Sequence, residues 1–259
     1  MGNGYSMKAQ GTEADVYIYE DVGASWFGGV SAKQFAIDLK ALGAVDTINV
    51  HINSFGGEVF EGVAIYQQLV AHPAKIIVYI DGVAASIASV IAMAGDEIRI
   101  AEAGFIMIHE AAGGCFGRAQ EMRQLADLLD TITGTICDVY EARTQQDGGA
   151  IRDWMAQEKW FTAAEAVELL FADSIVDNMR VAAHGTLDVS RHGFRHAPQA
   201  LLTPANAVPV QFPEVAAPVI VRPAALLTPP RDVKPVSSPL SARVALQAAQ
   251  LAARKSFAA

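Results

Sequence analysis

The strongest constraint on the fold is a repeated alternation between short apolar runs and segments with helical composition. Three runs, Thr47–Ile52, Ala74–Ile80 and Phe105–His109, have the length and the β-branched or aromatic content of strands. Helical segments over Val59–Ala71 and Ile87–Ala94 separate them. Strands that alternate with helices are typical of stacked βαβ units. The sequence therefore predicts an α/β domain.

Further elements extend this pattern in both directions along the chain. They are predicted strands over Ala14–Val22, Glu97–Ala101 and Ser174–Asp177, and predicted helices over Ser31–Leu42, Ala119–Thr144 and Ala163–Leu170. The apolar run Ala74–Ile80 is typical of a strand buried on both faces of a parallel sheet. Ala119–Thr144 is long for a helix of a globular domain. We expect it to project from the domain and to provide a subunit contact.

Composition divides the chain into two regions near residue 180. Residues 1–177 carry 10 Lys and Arg against 25 Asp and Glu, whereas residues 178–259 carry 9 against 3. Ten of the eleven prolines lie in the second region. We therefore expect a domain over residues 1–180, followed by a basic, Pro- and Ala-rich tail over residues 181–259 that is largely disordered or extended. Residues 241–256 have a helical composition, but a helix this short needs a partner surface.

Bulk properties exclude several classes of protein. No apolar run reaches the roughly 18 residues of a membrane span, and the first residues lack the basic and then apolar order of a secretory signal. We therefore expect a cytoplasmic protein without a membrane or nucleic-acid partner. The cysteines, Cys115 and Cys137, form neither a metal motif nor a disulfide framework, so we expect two reduced thiols, no metal and no cofactor. A phosphate-binding loop is also absent, so any dependence on ATP would come from a partner.

Ser86 is the candidate nucleophile. It follows the small-residue turn Gly82–Ala85 and precedes an apolar helix, a position at which serine is often only a helix cap. Small neighbours, however, let a substrate backbone approach, and the N–H groups at a helix start can stabilise an oxyanion. A serine hydroxyl also needs a base. Among the six histidines, His109 is the best candidate because it ends a predicted strand, where its side chain can emerge at the sheet edge.

A glycine pair, Gly56 and Gly57, lies in a predicted strand-to-helix turn. By itself such a pair indicates only a turn that requires positive φ. A backbone N–H in this turn could also bind a carbonyl oxygen. The evidence for chemistry lies in the set, because a glycine turn, a serine at a helix start and a histidine at a strand end all fall on strands of one predicted sheet.

Four motifs occur in a fixed order along the predicted domain. They are Ile52–Gly57 (INSFGG), Gly82–Ser89 (GVAASIAS), Met107–Glu110 (MIHE) followed by Gly113–Gly114, and Trp160–Ala166 (WFTAAEA) with Ala172–Ile175 (ADSI). In this order they resemble the proteolytic subunit of Clp protease, and more closely the head-maturation proteases that phages and prophages encode. The resemblance runs from about Ala14 to Asp177. Phe55 stands where the family usually has proline, which affects the rigidity of the turn more than the chemistry.

The resemblance implies a fold and an assembly. The fold would be the spiral of repeated ββα units that Clp proteolytic subunits share with crotonase-type enzymes, with Ala119–Thr144 as its projecting handle helix. Family members stack as rings through this helix, so we expect a homo-oligomer that encloses protein or peptide substrates. Two modes of action stay open: with an AAA+ unfolding ATPase ring, or on phage capsid and scaffold proteins without one.

The resemblance also implies the roles of individual residues. Ser86 would attack the peptide carbonyl, His109 would accept the serine proton, and the N–H groups of Gly57 and Ile87 would bind the oxyanion. The position that matches the acid of the family's triad is Glu158, where the family has aspartate. Because a glutamate has a longer side chain, its backbone must lie further back.

Three alternatives remain open at the level of sequence. Asp153 is the rival of Glu158 if the local alignment slips, and a site with no acid in the family's usual place is the remaining possibility. The crotonase-type hydratases and isomerases share the spiral fold and an oxyanion hole of two N–H groups, but they act on acyl-CoA thioesters, and the Ser86–His109 pair argues against them. The protein could also be a weakly active or inactive assembly or scaffold protein, an interpretation that the basic tail and the unusual acid favour.

Overall fold

The computed structural model describes residues 5–23, 29–176, 193–198 and 201. The strands are β1 (Tyr5–Gln10), β2 (Glu13–Ile18), β3 (Thr47–Ser54), β4 (Lys75–Ala85), β5 (Glu97–Ala101), β6 (Phe105–Ile108), β7 (Lys159–Thr162) and β8 (Ser174–Val176). The helices are α1 (Ala32–Ala41), α2 (Val59–Val70), α3 (Ile87–Ala92), α4 (Ala119–Thr144), α5 (Gly148–Ala156) and α6 (Ala163–Glu168). This alternation confirms the predicted α/β class.

All eight strands belong to one sheet, whose path divides at β4. The main order is β1-β2-β3-β4-β5-β8, while β6 pairs with β4 and β7 pairs with β6. The pairs are parallel except at β1–β2 and β6–β7. The first part of β4, Ile77–Ile80, pairs with β5, and its last residues, Val83–Ala85, pair with β6. The change of partner brings the ends of β4 and β6 together immediately before Ser86.

Only one face of the central strands is wholly buried. Burial alternates along β3 and β4, and the buried residues are Ile48, Val50 and Ile52 of β3 and Ile76, Val78 and Ile80 of β4. The sequence predicted that the strand over Ala74–Ile80, which corresponds to β4, is buried on both faces, but its residues Ile77 and Tyr79 are only half-buried. The physical reason is that α1, α2 and α3 contribute to a single core on the buried face. In that core Gly62 of α2 lies so close to Ile87 of α3 that a Cβ at this position would meet the isoleucine at 2.2 Å.

Some elements were missed by the sequence patterns. The strand β1 lies largely exposed at the edge of the sheet and was missed, although Tyr5, Met7 and Ala9 alternate with polar residues over its six positions. Tyr5 and Met7 are partly buried and pack against the core. The helix α5 begins with two glycines, which usually indicate a turn, but the Asp147 carboxylate caps it by accepting a hydrogen bond from the Ala150 N–H at 3.1 Å. β7 has only four residues and follows closely after α5.

The helix α4 agrees with the predicted bounds. Its C-terminal part is anchored in the core through residues such as Ile136 and Tyr140, whereas its N-terminal part is mostly exposed. Two apolar side chains of that part, Met122 and Leu128, are 51% and 47% exposed. Within the described ranges, no helix combines the length and the apolarity that a membrane span needs.

Part of the predicted tail sequence lies against the domain. Residues 193–198 and Leu201 are described, and Phe194, Ala197 and Leu201 pack on a small apolar cluster made by Phe55, Val83, Ala85, Met107 and Trp160. The predicted boundary near residue 180 and the predicted helix over residues 241–256 fall outside the described residues and stay predictions.

Candidate active site

Ser86 occupies a strained turn between β4 and α3. Its backbone has φ 54° and ψ −129°, a conformation that non-glycine residues rarely adopt. The turn is held by a hydrogen bond from the Ser86 N–H to the Met107 carbonyl oxygen at 3.0 Å. The Ser86 side chain makes no cap hydrogen bond to α3. Its position therefore presents the hydroxyl to the neighbouring strand end rather than to its own helix.

His109 lies directly after β6 and reaches that hydroxyl. The register of β4 and β6 pairs Ala85 with Met107, which places the two strand ends side by side. The Nε2 atom of His109 lies 2.7 Å from Oγ of Ser86. Burial lowers the pKa of His109 below its ordinary value, although the nearby Glu158 and Glu110 carboxylates act to raise it. A neutral imidazole at hydrogen-bond distance from a serine can accept its proton.

The glycine turn lies against the nucleophile. Gly56 and Gly57 have φ 97° and 143°, so both backbones are in the region that favours glycine. A Cβ on Gly56 would lie 2.8 Å from Cβ of Ser86, and a Cβ on Gly57 would lie 2.1 Å from the Val22 carbonyl oxygen. Val22 also anchors the turn, because its N–H donates to Gly56 O at 2.7 Å and its carbonyl accepts from the Glu58 N–H at 2.8 Å. The Gly57 N–H lies between these bonds and takes part in neither.

A cavity of about 170 Å³ opens next to the serine. Its lining includes Ser86, His109, Gly57, Ile87, Tyr140 and Phe194. Ile87 is the first residue of α3, and the first N–H groups of a helix have no acceptor within the helix. Both predicted oxyanion donors therefore line the cavity that contains the serine and the histidine, an arrangement that suits a tetrahedral intermediate.

Glu158 lies behind His109 in a turn after α5. It has φ 51° and only 9% of its surface is exposed. Its carboxylate accepts hydrogen bonds from the backbone N–H groups of Arg195 at 2.9 Å and His196 at 2.8 Å, and from the indole N–H of Trp160 at 3.3 Å. Between Glu158 and His109, both of which the structure describes, there is no hydrogen bond. The charge of the carboxylate nevertheless acts on the histidine ring.

The carboxyl of Glu158 favours its ionised form despite burial. Burial acts to raise its pKa, but the hydrogen bonds from the Arg195 and His196 amides, the Trp160 indole and the nearby His109 together hold the pKa below its ordinary value. Asp153, the rival acid, lies exposed on α5. The geometry therefore favours Glu158 over Asp153 as the residue that acts on His109.

Several residues of the site were not found by sequence reasoning. The Ser89 hydroxyl donates to the Ser86 carbonyl oxygen at 2.5 Å and pairs with the Tyr140 hydroxyl at 2.8 Å. Ser89 falls within the motif that contains the nucleophile, which was the available signal. Phe194 contacts the site from the predicted tail, and the only signal was that it is the first aromatic residue after Phe171.

Comparisons with known proteins agree on one family. Residues 11–179 match the family model described as Clp protease. The chain is 32% identical over 145 residues to "ATP-dependent Clp protease proteolytic subunit 1" of Mycobacterium tuberculosis, covering 55% of this chain and 72% of that protein. It is 28% identical over 160 residues to the protein of the same name from Leifsonia xyli subsp. xyli, covering 60% and 81%. These matches confirm the resemblance to Clp proteolytic subunits, whereas the closer resemblance to phage head-maturation proteases stays a prediction.

Proposed function

Because this chain belongs to the Clp protease family, we propose that it is a serine endopeptidase that cleaves peptide bonds through Ser86, His109 and Glu158. The observation that carries the proposal is the 2.7 Å contact between His109 Nε2 and Ser86 Oγ at the edge of a cavity. The same cavity is lined by Gly57 and Ile87, whose N–H groups would bind the oxyanion.

The proposed reaction follows the order of a serine peptidase. His109 takes the proton of Ser86 as Oγ attacks the substrate carbonyl carbon, and the carbonyl oxygen becomes an oxyanion bound by the N–H groups of Gly57 and Ile87. The ionised Glu158 stabilises the imidazolium that forms. His109 then donates its proton to the leaving amine, and water repeats the same steps to release the acyl group from Ser86.

We propose in addition that the protein acts as a ring-shaped homo-oligomer. The exposed N-terminal part of α4, with Met122 and Leu128 on its surface, has the apolar character of a subunit contact. The names of the relatives describe them as subunits of ATP-dependent proteases. The candidate partners are an AAA+ unfolding ATPase or phage capsid and scaffold proteins. Residues 181–259 would form a tail, of which Phe194, Ala197 and Leu201 pack against the peptidase domain.

A second candidate function is a weakly active or inactive assembly protein. The observation that favours it is that the carboxylate of Glu158 hydrogen-bonds Arg195, His196 and Trp160 and not His109. A triad whose histidine lacks its orienting hydrogen bond would be slow unless Glu158 moves or its charge suffices.

A fluorophosphonate probe distinguishes the two functions. We expect the probe to label the purified wild-type protein at Ser86, as read from the mass of the labelled peptide, and to leave Ser86→Ala unlabelled. Hydrolysis of a fluorogenic peptide and intact masses of both proteins would report turnover and any trimming of the tail. Native mass spectrometry of the same samples measures ring formation. The peptidase proposal fails if folded wild-type protein neither reacts with the probe nor hydrolyses any of a panel of peptides.

A further inference from the structure

The segment Gly193–Pro198, which we term the clamp segment, touches the site at two points. It lies 17 residues beyond Val176, the last residue of β8, and belongs by composition to the predicted tail. Two consecutive backbone N–H groups of the clamp segment donate to different oxygens of one carboxylate: Arg195 N–H to Oε2 of Glu158, and His196 N–H to Oε1. Phe194, the residue before them, lines the cavity next to Ser86.

We propose that the clamp segment is a working part of the active site, in which the Arg195 and His196 amides are positioning groups that hold the Glu158 carboxylate behind His109. Phe194 holds the segment in place and closes the site to water on that side. This inference rests on the proposed peptidase function, since it assigns to the clamp segment a role in that reaction.

The Glu158 carboxylate is buried and needs hydrogen-bond donors. A carboxylate that is removed from water needs hydrogen bonds from its surroundings to stay ionised. Within the described residues, Glu158 receives three, and two of these come from the clamp segment. Without them, the indole N–H of Trp160 at 3.3 Å would be the remaining donor. The peptidase domain up to β8 therefore supplies only a minor part of what keeps this acid charged.

The Glu158 carboxylate can accept a further hydrogen bond from His109. A carboxylate offers roughly four acceptor positions over its two oxygens. The three observed donors occupy two positions on Oε1 and one on Oε2. Counting the described donors, one position on Oε2 is left for the second ring N–H of His109. The clamp segment thus orients Glu158 without excluding the contact that the triad requires.

Phe194 packs against three aromatic rings at the site. Its ring centroid lies 5.4 Å from that of Trp160, 5.8 Å from that of Phe55 and 6.1 Å from that of His109. The apolar contacts with Trp160 and Phe55 fix the position of the segment. The edge contact with His109 keeps water from that side of the ring, which strengthens the interaction between the imidazolium and Glu158.

The contact is made by the backbone, which allows a specific test. The side chains of Arg195 and His196 are exposed, and it is their N–H groups that bind Glu158. Only proline removes a backbone N–H. The variant Arg195→Pro/His196→Pro therefore deletes both donors, while Arg195→Ala/His196→Ala deletes the same side chains and keeps the amides. The effect of the amides is the difference between these two full-length variants.

We expect kcat on a fluorogenic peptide to fall by roughly tenfold to 100-fold in the proline pair relative to the alanine pair, with less than about threefold change in KM. In a Glu158→Gln background the same proline pair should lower kcat by less than about twofold, because the effects of groups that act through one residue are not additive. An equal fall in kcat with Glu158 and with Gln at position 158 would show a general structural effect and overturn the inference. Higher activity in the proline pair would overturn it too, since the segment would then be an obstruction.

A titration of His109 by NMR in the Ser86→Ala protein tests the inference without any turnover. Burial lowers the pKa of His109, and the carboxylates that face it, Glu158 and Glu110, raise it. In the proline pair, Glu158 loses the two N–H donors that keep its carboxylate ordered and charged. The pKa of His109 should therefore be lower in the proline pair than in the alanine pair. Simple loosening of the segment would expose the ring and raise the pKa instead. An unchanged or raised pKa overturns the inference, whereas absent hydrolysis by wild-type protein overturns only the proposed function.

Discussion

The two halves of the candidate active site are built in different ways. Ser86 and His109 follow β4 and β6, two paired strands of the central sheet, so the strand register places their backbones side by side, and His109 Nε2 lies 2.7 Å from Ser86 Oγ. Glu158 lies in the turn between α5 and β7, and two of the three hydrogen-bond donors that the described residues give it are 37 and 38 positions further along the chain. The first half is thus fixed by the core, while the second depends on a peripheral segment.

This difference sets what each half can tolerate. A change at Ser86 or at the glycine turn acts inside a rigid arrangement, where Gly56 and Gly57 have no room for a side chain. A change around Glu158 alters the charge and orientation behind the histidine but leaves nucleophile and base in contact. We therefore expect all-or-none effects in the first half and graded effects in the second.

The largest effect is expected from Ser86→Ala. Because no other group in the proposed mechanism can attack the carbonyl, kcat for a fluorogenic peptide should fall by roughly 10⁴-fold or more. The control is Ser31→Ala, which removes only the hydroxyl that caps α1 and should cost about 1 kcal/mol of unfolding free energy while activity is retained. Ser86-independent hydrolysis at the wild-type rate would disprove the assignment of the rigid half.

A smaller loss is expected from Glu158→Gln. The substitution keeps the size of the side chain but removes the charge that stabilises the imidazolium, so kcat should fall by about 10²-fold or more. Asp153→Asn is the matched control, since Asp153 is exposed on the preceding helix. A larger fall in kcat from Asp153→Asn than from Glu158→Gln would show that the acid had been assigned to the wrong residue.

The pH profile of wild-type kcat/KM should show the lowered pKa of the proposed base, His109. His109 must be neutral to accept a proton, and its pKa lies below the ordinary value of about 6.5 because of burial. The midpoint of the fall in kcat/KM should therefore lie at a pH below about 6.5. Below that midpoint, kcat/KM should fall about tenfold per pH unit. In Glu158→Gln the midpoint should move to still lower pH, because the carboxylate no longer raises the pKa of His109. A midpoint above 6.5 in the wild type would contradict the buried, neutral base.

The smallest effect is expected from Phe194→Ala. The loss of its contacts with Trp160 and His109 should lower kcat/KM by roughly threefold to tenfold, the amount that corresponds to about 1 kcal/mol of aromatic packing. Phe194→Leu keeps an apolar side chain and should recover most of the activity. If both variants matched the wild type in kcat/KM and thermal melting, the clamp segment would not contribute to the site through this ring.

Much of the fold and half of the site could be predicted from local patterns. The period of the apolar residues predicts β3 and β4, and the small residues around Ser86 predict a turn through which a substrate can approach. The helix α5 could not be found, because two glycines at its start hide a cap that depends on Asp147. The partial exposure of Tyr79 could not be predicted either. The path of the chain decides whether helices cover one face of a sheet or both.

The sequence by itself predicted most of the elements and indicated Ser86, His109 and the glycine turn as candidate site residues, because these follow from residue types at short spacing and from motifs in a fixed order. Only the tertiary structure favours Glu158 over Asp153, because it buries Glu158 and leaves Asp153 exposed. It also brings Phe194 to the His109 ring and the Arg195 and His196 amides to the Glu158 carboxylate. The physical reason is that these contacts are made by backbone amides and by packing between residues more than 30 positions apart. An amide N–H is common to every residue except proline, so no pattern of side chains can predict which one a carboxylate will bind.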